Sequence, residues 1–206
     1  MINPSQQTIR AMSGATPVTQ LDPATTALLV IDFQNEYFNG KMPIPEGAAA
    51  LHNAQCLVEF ADQHKIPVIH IQHIAPAGSA VFAQDGNTVD FHPLMQPRAQ
   101  DTLVQKTSVS VFASTDLHNQ LQHQGIRTLI ICGLMTHACV AGAARDGAAL
   151  GYAIVVASDA SATRAITRAN GESVTQDQLH ASALAEIEDT FGDVLTTSQV
   201  VGLSVR

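Results

Sequence analysis

The chain has 206 residues, 46% of them apolar and 14% charged, enough for one ordinary domain with a full core and too apolar for a disordered chain or a coiled coil. Ten Lys and Arg stand against eighteen Asp and Glu, a formal net charge of −8 with His neutral, and there is no basic amphipathic stretch. This excludes a nucleic-acid backbone binder and a protein that lies on a membrane surface.

Residues 1–23 read as a polar N-terminal arm rich in Ser, Thr and Gln, without the apolar core of a signal peptide. Residues 24–206 read as a single domain, because no linker or internal repeat divides them. Ala27–Ile31 is a continuous apolar run, the mark of a strand buried on both faces. From Glu46 to Lys65, Ala54, Leu57, Val58 and Ala61 recur at helical spacing. Pro67–Ile71 is a second strand, and the Pro- and Gly-containing stretch 75–98 reads as a loop or excursion. Leu103–Lys106 gives a short third strand, Ser114–His123 a modest helix and Arg127–Gly133 a fourth strand. A helix rich in Ala and Gly over Thr136–Leu150, a strand at Tyr152–Ala157, a helix over Gln176–Phe191 and a short strand at Asp193–Thr196 complete the pattern.

Strands that alternate with helices predict parallel pairing through right-handed crossovers, hence a doubly wound α/β sheet covered on both faces. Sites in such sheets lie beyond the carboxyl ends of the strands, near the reversal of strand order. That directs attention to Asp32, His73, Lys106, the segment 133–139 and Asp159.

Asp32 ends the first apolar run, where poor solvation raises a carboxylate pKa unless a cation stands near; a turn or capping aspartate is the plainer alternative. Lys106 ends the third strand, where a carboxylate partner would keep it charged; alone it would read as a surface lysine. Cys139 lies in a strand-to-helix turn, where free N–H groups and the helix dipole favour thiolate. Cys56 and Cys132 fit a helix and a buried strand. Three cysteines without C-x-x-C argue against a disulfide framework or zinc ribbon, and predict a soluble, reducing, cytoplasmic setting.

The histidines offer no convincing metal set. His70 and His73 face opposite sides of a strand, Asp90-Phe91-His92 has no third ligand, and His180 shares a face with Leu184, Ile187 and Phe191. His137 stands two residues before Cys139, able to reach the pocket or to face solvent. A G-x-S-x-G elbow, a phosphate loop and a dinucleotide fingerprint are all missing.

Three ordered blocks, VIDFQNEYF at 30–38, VQKTSVSVFASTDL at 104–117 and GLMTHACV at 133–140, carry a resemblance to the isochorismatase-like cysteine hydrolases. That superfamily includes nicotinamidase, N-carbamoylsarcosine amidohydrolase and ureidoacrylate amidohydrolase. GYAIVVASDASAT at 151–163 and HASALAEIEDTFGDVLTT at 180–197 support it, so the likeness spans nearly the whole chain after the arm. The resemblance implies a three-layer α/β/α sandwich on a six-stranded, mostly parallel sheet, with a cis peptide between Leu134 and Met135. It implies a catalytic triad of Asp32, Lys106 and Cys139, with backbone N–H groups of Met135 and Cys139 as the oxyanion hole. A Thr136 hydroxyl that capped the following helix would compete for one of those donors.

Phe33, Tyr37, His73, Phe112 and His137 flank the triad blocks and are expected to wall the substrate pocket. Nicotinamidases of this superfamily carry a D-x-H metal motif after the second strand, where this chain reads HIQHIAPAG; no metal and no cofactor are therefore expected. The presence of Cys139 favours cleavage of a small amide, ureide or carbamoyl C–N bond through a thioester over vinyl-ether hydrolysis. The alternatives are a metal-assisted nicotinamidase-like amidase, an isochorismatase-type vinyl-ether hydrolase and a non-catalytic scaffold. The expected partners are a small-molecule substrate and, by the resemblance, further copies of the chain in a dimer or tetramer, with no nucleic acid or membrane.

Overall fold

The structure is a computed structural model that describes residues 6–206. In chain order its elements are α1 (Ile9–Met12), β1 (Gln20–Leu21), β2 (Thr26–Ile31), α2 (Gly47–His64), β3 (Val68–His73) and β4 (Thr102–Lys106). There follow α3 (Leu117–His123), β5 (Thr128–Leu134), α4 (Ala141–Ala149), β6 (Ala153–Ala162), β7 (Ile166–Thr167) and β8 (Ser173–Val174). The chain closes with α5 (Gln176–Glu186), β9 (Asp193–Leu195), α6 (Thr197–Val201) and β10 (Ser204–Val205).

Six strands form one sheet in the order β4-β3-β2-β5-β6-β9, and every pairing in it is parallel. All six residues of β2 are buried, as a two-sided central strand requires. Side chains alternate across it. Leu28 and Val30 join Ala54, Leu57 and Phe60 of α2 in one core, while Ala27, Leu29 and Ile31 join Leu117, Leu121, Val140 and Ala144 in the other. The α/β/α sandwich follows directly from that alternation. Among the described residues no helix is long and apolar enough to cross a membrane.

Several boundaries differ from the sequence reading for local reasons. The helix expected from Ser114 starts at Leu117, because the Ser114 hydroxyl accepts from the N–H groups of Thr107 and Ser108 at 3.1 Å and the Thr115 hydroxyl donates to the Val111 carbonyl. The helix expected from Thr136 begins as a π-helical turn, Thr136–Val140, and the one over Gln176–Phe191 ends in another, Ile187–Phe191. β6 runs five residues beyond Ala157, to Ala162, with a register irregularity against β5 between Ile131 and Gly133. The arm, as far as it lies within the described residues, is built into the body. Arg10 pairs with Asp193 at 2.8 Å, Val18 N–H donates to the same carboxylate at 2.7 Å, and β1 pairs with β10.

Strand order reverses between β2 and β5, and the two approach very closely there. Gly133, φ 137°, faces Ile31 so tightly that a Cβ on it would stand 2.1 Å from the Ile31 carbonyl oxygen. Only glycine fits. Gly133→Ala is expected to lose at least about 3 kcal/mol of stability by urea unfolding, the range of severe overpacking against backbone. Gly125→Ala, also at positive φ but with no atom nearby, should lose only about 1 kcal/mol. Equal losses would show that the β2–β5 approach is not the constraint.

Candidate active site

Three strand ends deliver the polar cluster. Asp32 directly follows β2 and sits in the left-handed region, φ 53°, which turns its carboxylate back over the end of the sheet. Cys139 lies in the π-helical turn after β5, and Lys106 is the last residue of β4. Lys106 pairs in register with His73 of β3, so its side chain has to cross the end of β3 to reach β2.

It does reach. The Lys106 ammonium lies 2.8 Å from Asp32 Oδ2, 3.3 Å from Cys139 Sγ, 3.0 Å from His73 Nδ1 and 3.3 Å from the Ser108 carbonyl oxygen. An ammonium can only donate, so His73 Nδ1 is the acceptor there. Asp32 and Lys106 are fully buried, and Cys139 keeps 6% of its surface. Burial works against the Lys106 charge, but Asp32 and Cys139 outweigh it and hold its pKa above the ordinary lysine value. Burial raises the Asp32 pKa, and Lys106 together with the thiol brings it only partly back.

For Cys139 the expectation of a thiolate is overturned in the resting site. Burial and the adjacent Asp32 carboxylate push the thiol up, and Lys106 offsets only part of that. A single cation faces two groups that both want to be anions. Each group disfavours the charge of the other, so the two titrate as a coupled pair against one ammonium.

The other predicted residues separate into two groups. Tyr37 is buried, and Asp32 and Cys139 both raise its pKa after burial itself, which places the phenol beside the cluster. His73 is on Lys106. His137 shares a 2.6 Å hydrogen bond with Thr163, and burial and the nearby Arg164 lower its pKa. Phe33 is fully buried in the core on the α2 face. Phe112 is a correction: its ring stacks on Tyr152 at 6.0 Å, and Tyr152 precedes β6, at the opposite end of the sheet from Cys139. The Ser110 hydroxyl accepts from Phe112 N–H and starts a 3₁₀ turn that carries the ring down to Gly147.

Thr136 does not cap the helix. Its hydroxyl is bonded to His180 Nδ1 at 2.8 Å, and the N–H of Met135 donates to no acceptor among the described residues. The Leu134–Met135 peptide is cis. Asp159, in β6, is turned to the start of α6, where its carboxylate accepts from the N–H and hydroxyl of Thr197. The metal arrangement of nicotinamidases does not fit these residues. His73 accepts from Lys106, the Gln72 side-chain Oε1 accepts from the Gln105 amide, His92 Nδ1 accepts from Leu94 N–H, and no group of three or more His, Cys, Asp or Glu converges among the described residues.

Sequence reasoning missed Gln34, Glu36 and Phe82. Gln34 and Glu36 stand in the first block, where two polar residues beside a buried carboxylate were the available signal. Gln34 is fully buried; its amide donates to the carbonyls of His73 and Val89 at 2.8 and 2.6 Å and accepts from His73 N–H at 2.9 Å.

Comparison with known proteins agrees with this geometry. The family model of the isochorismatase domain matches residues 26–199. The isochorismatase family protein YddQ of Bacillus subtilis is 34% identical, with 84% of this chain and 97% of that protein aligned. A streptothricin hydrolase of Streptomyces noursei is 33% identical over 78% of this chain and 58% of its own length. The crystal structure of a cysteine hydrolase from Pseudomonas syringae superposes with a TM-score of 0.85 at 25% identity, covering 96% of this chain and 97% of that one.

The electrostatics of the cluster are directly measurable. In a Cys56→Ser background, the pH profile of Cys139 alkylation by iodoacetamide should move down by about one pH unit or more in Asp32→Asn, because a carboxylate that disfavours the thiolate has gone. Lys106→Met should move it up. A profile indifferent to Asp32 would show that the two groups are not coupled.

Proposed function

Since the chain belongs to the isochorismatase family and is a hydrolase of that family, we propose that it cleaves a small amide, ureide or carbamoyl C–N bond with Cys139 as nucleophile and without a metal. The observation that carries this reading is the Lys106 ammonium within 2.8 Å of Asp32 and 3.3 Å of Cys139. Vinyl-ether hydrolysis needs no thiol at that point, and a plain scaffold needs no buried charge there.

Binding of an amide displaces the last solvent from Cys139 and brings the carbonyl carbon over sulfur. Asp32 takes the thiol proton as sulfur attacks, so negative charge passes from carboxylate to sulfur and on to the carbonyl oxygen. Lys106 stays charged throughout and stabilises whichever neighbour is anionic. The N–H groups of Met135 and Cys139 receive the oxyanion, each well-aimed donor contributing about 3 kcal/mol. Collapse breaks the C–N bond as the Asp32 proton moves to the departing nitrogen, which leaves a thioester on Cys139. Water then attacks, its proton goes to Asp32, and rupture of the C–S bond returns that proton to sulfur. Atoms and charge balance over the cycle. Tyr37, close enough to Asp32 and Cys139 for both to raise its pKa, is the wall residue of this pocket that the cluster itself marks.

Kinship with a streptothricin hydrolase and a cysteine hydrolase supports hydrolysis by a thiol, while their substrates are their own. A panel of small primary amides, ureides and carbamoyl compounds assayed for ammonia release is the test. Cys139→Ala should lower turnover about a thousandfold or more with an unchanged thermal midpoint, as loss of a nucleophile does. Cys56→Ala and Cys132→Ala should retain it. Turnover in Cys139→Ala equal to that of the parent would end the proposal.

A further inference from the structure

The excursion over residues 75–92 is folded back onto the first block by an ordered set of bonds. Asn35 and Glu36 donate through their N–H groups to the carbonyls of Asp90 and Thr88 at 2.8 Å, and His92 N–H donates to the Phe33 carbonyl at 2.8 Å. At the centre stands Glu36, 2% exposed and, among the described residues, with no cation bonded to its carboxylate. Three donors converge on it instead: Lys41 N–H at 2.6 Å on Oε1, with the Thr88 hydroxyl at 2.5 Å and Phe82 N–H at 3.4 Å on Oε2. Burial would raise this carboxyl, but those donors and the nearby Lys41 charge hold it below the usual range. Lys41 itself donates to the Ala80 carbonyl at 2.8 Å, on the same excursion. Gly40 belongs to the arrangement, since a Cβ there would lie 2.6 Å from the Glu36 backbone and 2.7 Å from its carboxylate.

The result is the placement of one ring. Phe82 adopts φ 54°, a left-handed conformation that a bulky side chain rarely takes, and Ala75 N–H clamps its carbonyl at 2.8 Å. Its ring, 5% exposed, stands edge-on to Tyr37 at 5.2 Å and to His73 at 5.0 Å. Asp32 and Cys139 lie near enough to Tyr37 to raise its pKa, and His73 Nδ1 accepts from the Lys106 ammonium at 3.0 Å. The chain therefore sustains a strained backbone and a buried carboxylate to set an aromatic wedge between two residues that border the cluster.

We propose that Phe82 is a specificity-determining residue that fixes the size of the acyl group admitted to Cys139, and that Glu36 is the positioning residue that sets it there. The inference rests on the reading of Cys139 as nucleophile, yet its test reads access to sulfur and needs no substrate. In a Cys56→Ser background, alkylation of Cys139 is measured with the small reagent iodoacetamide and the bulky reagent N-phenylmaleimide, the modified residue being identified by mass spectrometry. Cys132, fully buried in β5, is the internal bystander.

Phe82→Ala should raise the ratio of maleimide to iodoacetamide rates by about tenfold or more, the discrimination that a removed pocket wall sustains. Phe82→Gly should match it, because glycine adopts positive φ freely and leaves the loop unstrained. Glu36→Ala should raise the same ratio. Glu36→Gln should lie between it and the parent, since a carbamoyl group keeps the Lys41 and Thr88 bonds and gives up the one to Phe82. A ratio within twofold of the parent in both Phe82 variants overturns the wall, and so does an equal acceleration of both reagents, which is general loosening. A parent-like ratio in Glu36→Ala overturns the positioning role. Failure of the amidase reading would leave these ratios as predicted while ammonia release stayed absent in every variant.

Discussion

A buried ammonium organises this molecule. The Lys106 side chain is fully buried, so its charge is sustained by Asp32, Cys139, His73 and the Ser108 carbonyl, which surround it within 3.3 Å. Each of those groups comes from a different stretch of chain. Removing the carboxylate strands a cation in a low-dielectric site, and removing the cation strands a carboxylate; neither half is stable without the other. Acid and nucleophile also compete for the same cation, and that competition couples their titration.

The parallel sheet makes such convergence possible. Three strands, β2, β4 and β5, end on one side, and the interdigitated cores on both faces fix their ends. Lys106 is two strands away from Asp32, a gap that its four-carbon stem spans across the end of β3, where Arg geometry would demand a planar, bidentate partner. Gly133 lets β5 close on Ile31 one residue before Asp32, so the main-chain spacing of β2 and β5 sets the distance between carboxylate and thiol. Asp32 sits in a left-handed conformation at this point, a local cost that the fully buried strand before it sustains.

Much of this was legible in the sequence, and the exceptions have physical causes. The apolar run ending at Ile31 announced a central strand, and the residue after it, Asp32, stands at the site. The likeness of three blocks placed Lys106 and Cys139, which composition alone leaves as a surface lysine and a buried thiol. Strand length was less legible: β6 continues through Ser158, Asp159 and Ser161, polar residues that the pattern assigns to a loop, because pairing with β5 resumes past the irregularity. Phe112 misled because proximity in sequence to Lys106 says nothing about the 3₁₀ turn that sends its ring to Tyr152. Phe82 and Glu36 were invisible for the opposite reason, since 46 positions separate them and the bond exists only once the excursion has folded back. The ionisation of Cys139 was misjudged because the helix N-terminus is a local feature, whereas burial and Asp32 belong to the assembled site.

A protonated resting thiol fits catalysis better than a permanent thiolate would. Burial raises the pKa of both Asp32 and Cys139 while Lys106 lowers both, so the ammonium favours the anionic form of whichever group has released the proton. A thiolate fully stabilised at rest would be a weaker nucleophile and a target for any electrophile that reached it. In the proposed mechanism the nucleophile forms as the carbonyl arrives, beside a cation already in place, and the anionic charge it creates passes to backbone donors. In that mechanism Asp32, Lys106 and Cys139 carry the reaction without specifying the molecule on which it acts. Under that proposal, selection falls to the chain segments that border the cluster, Phe82 of the excursion among them.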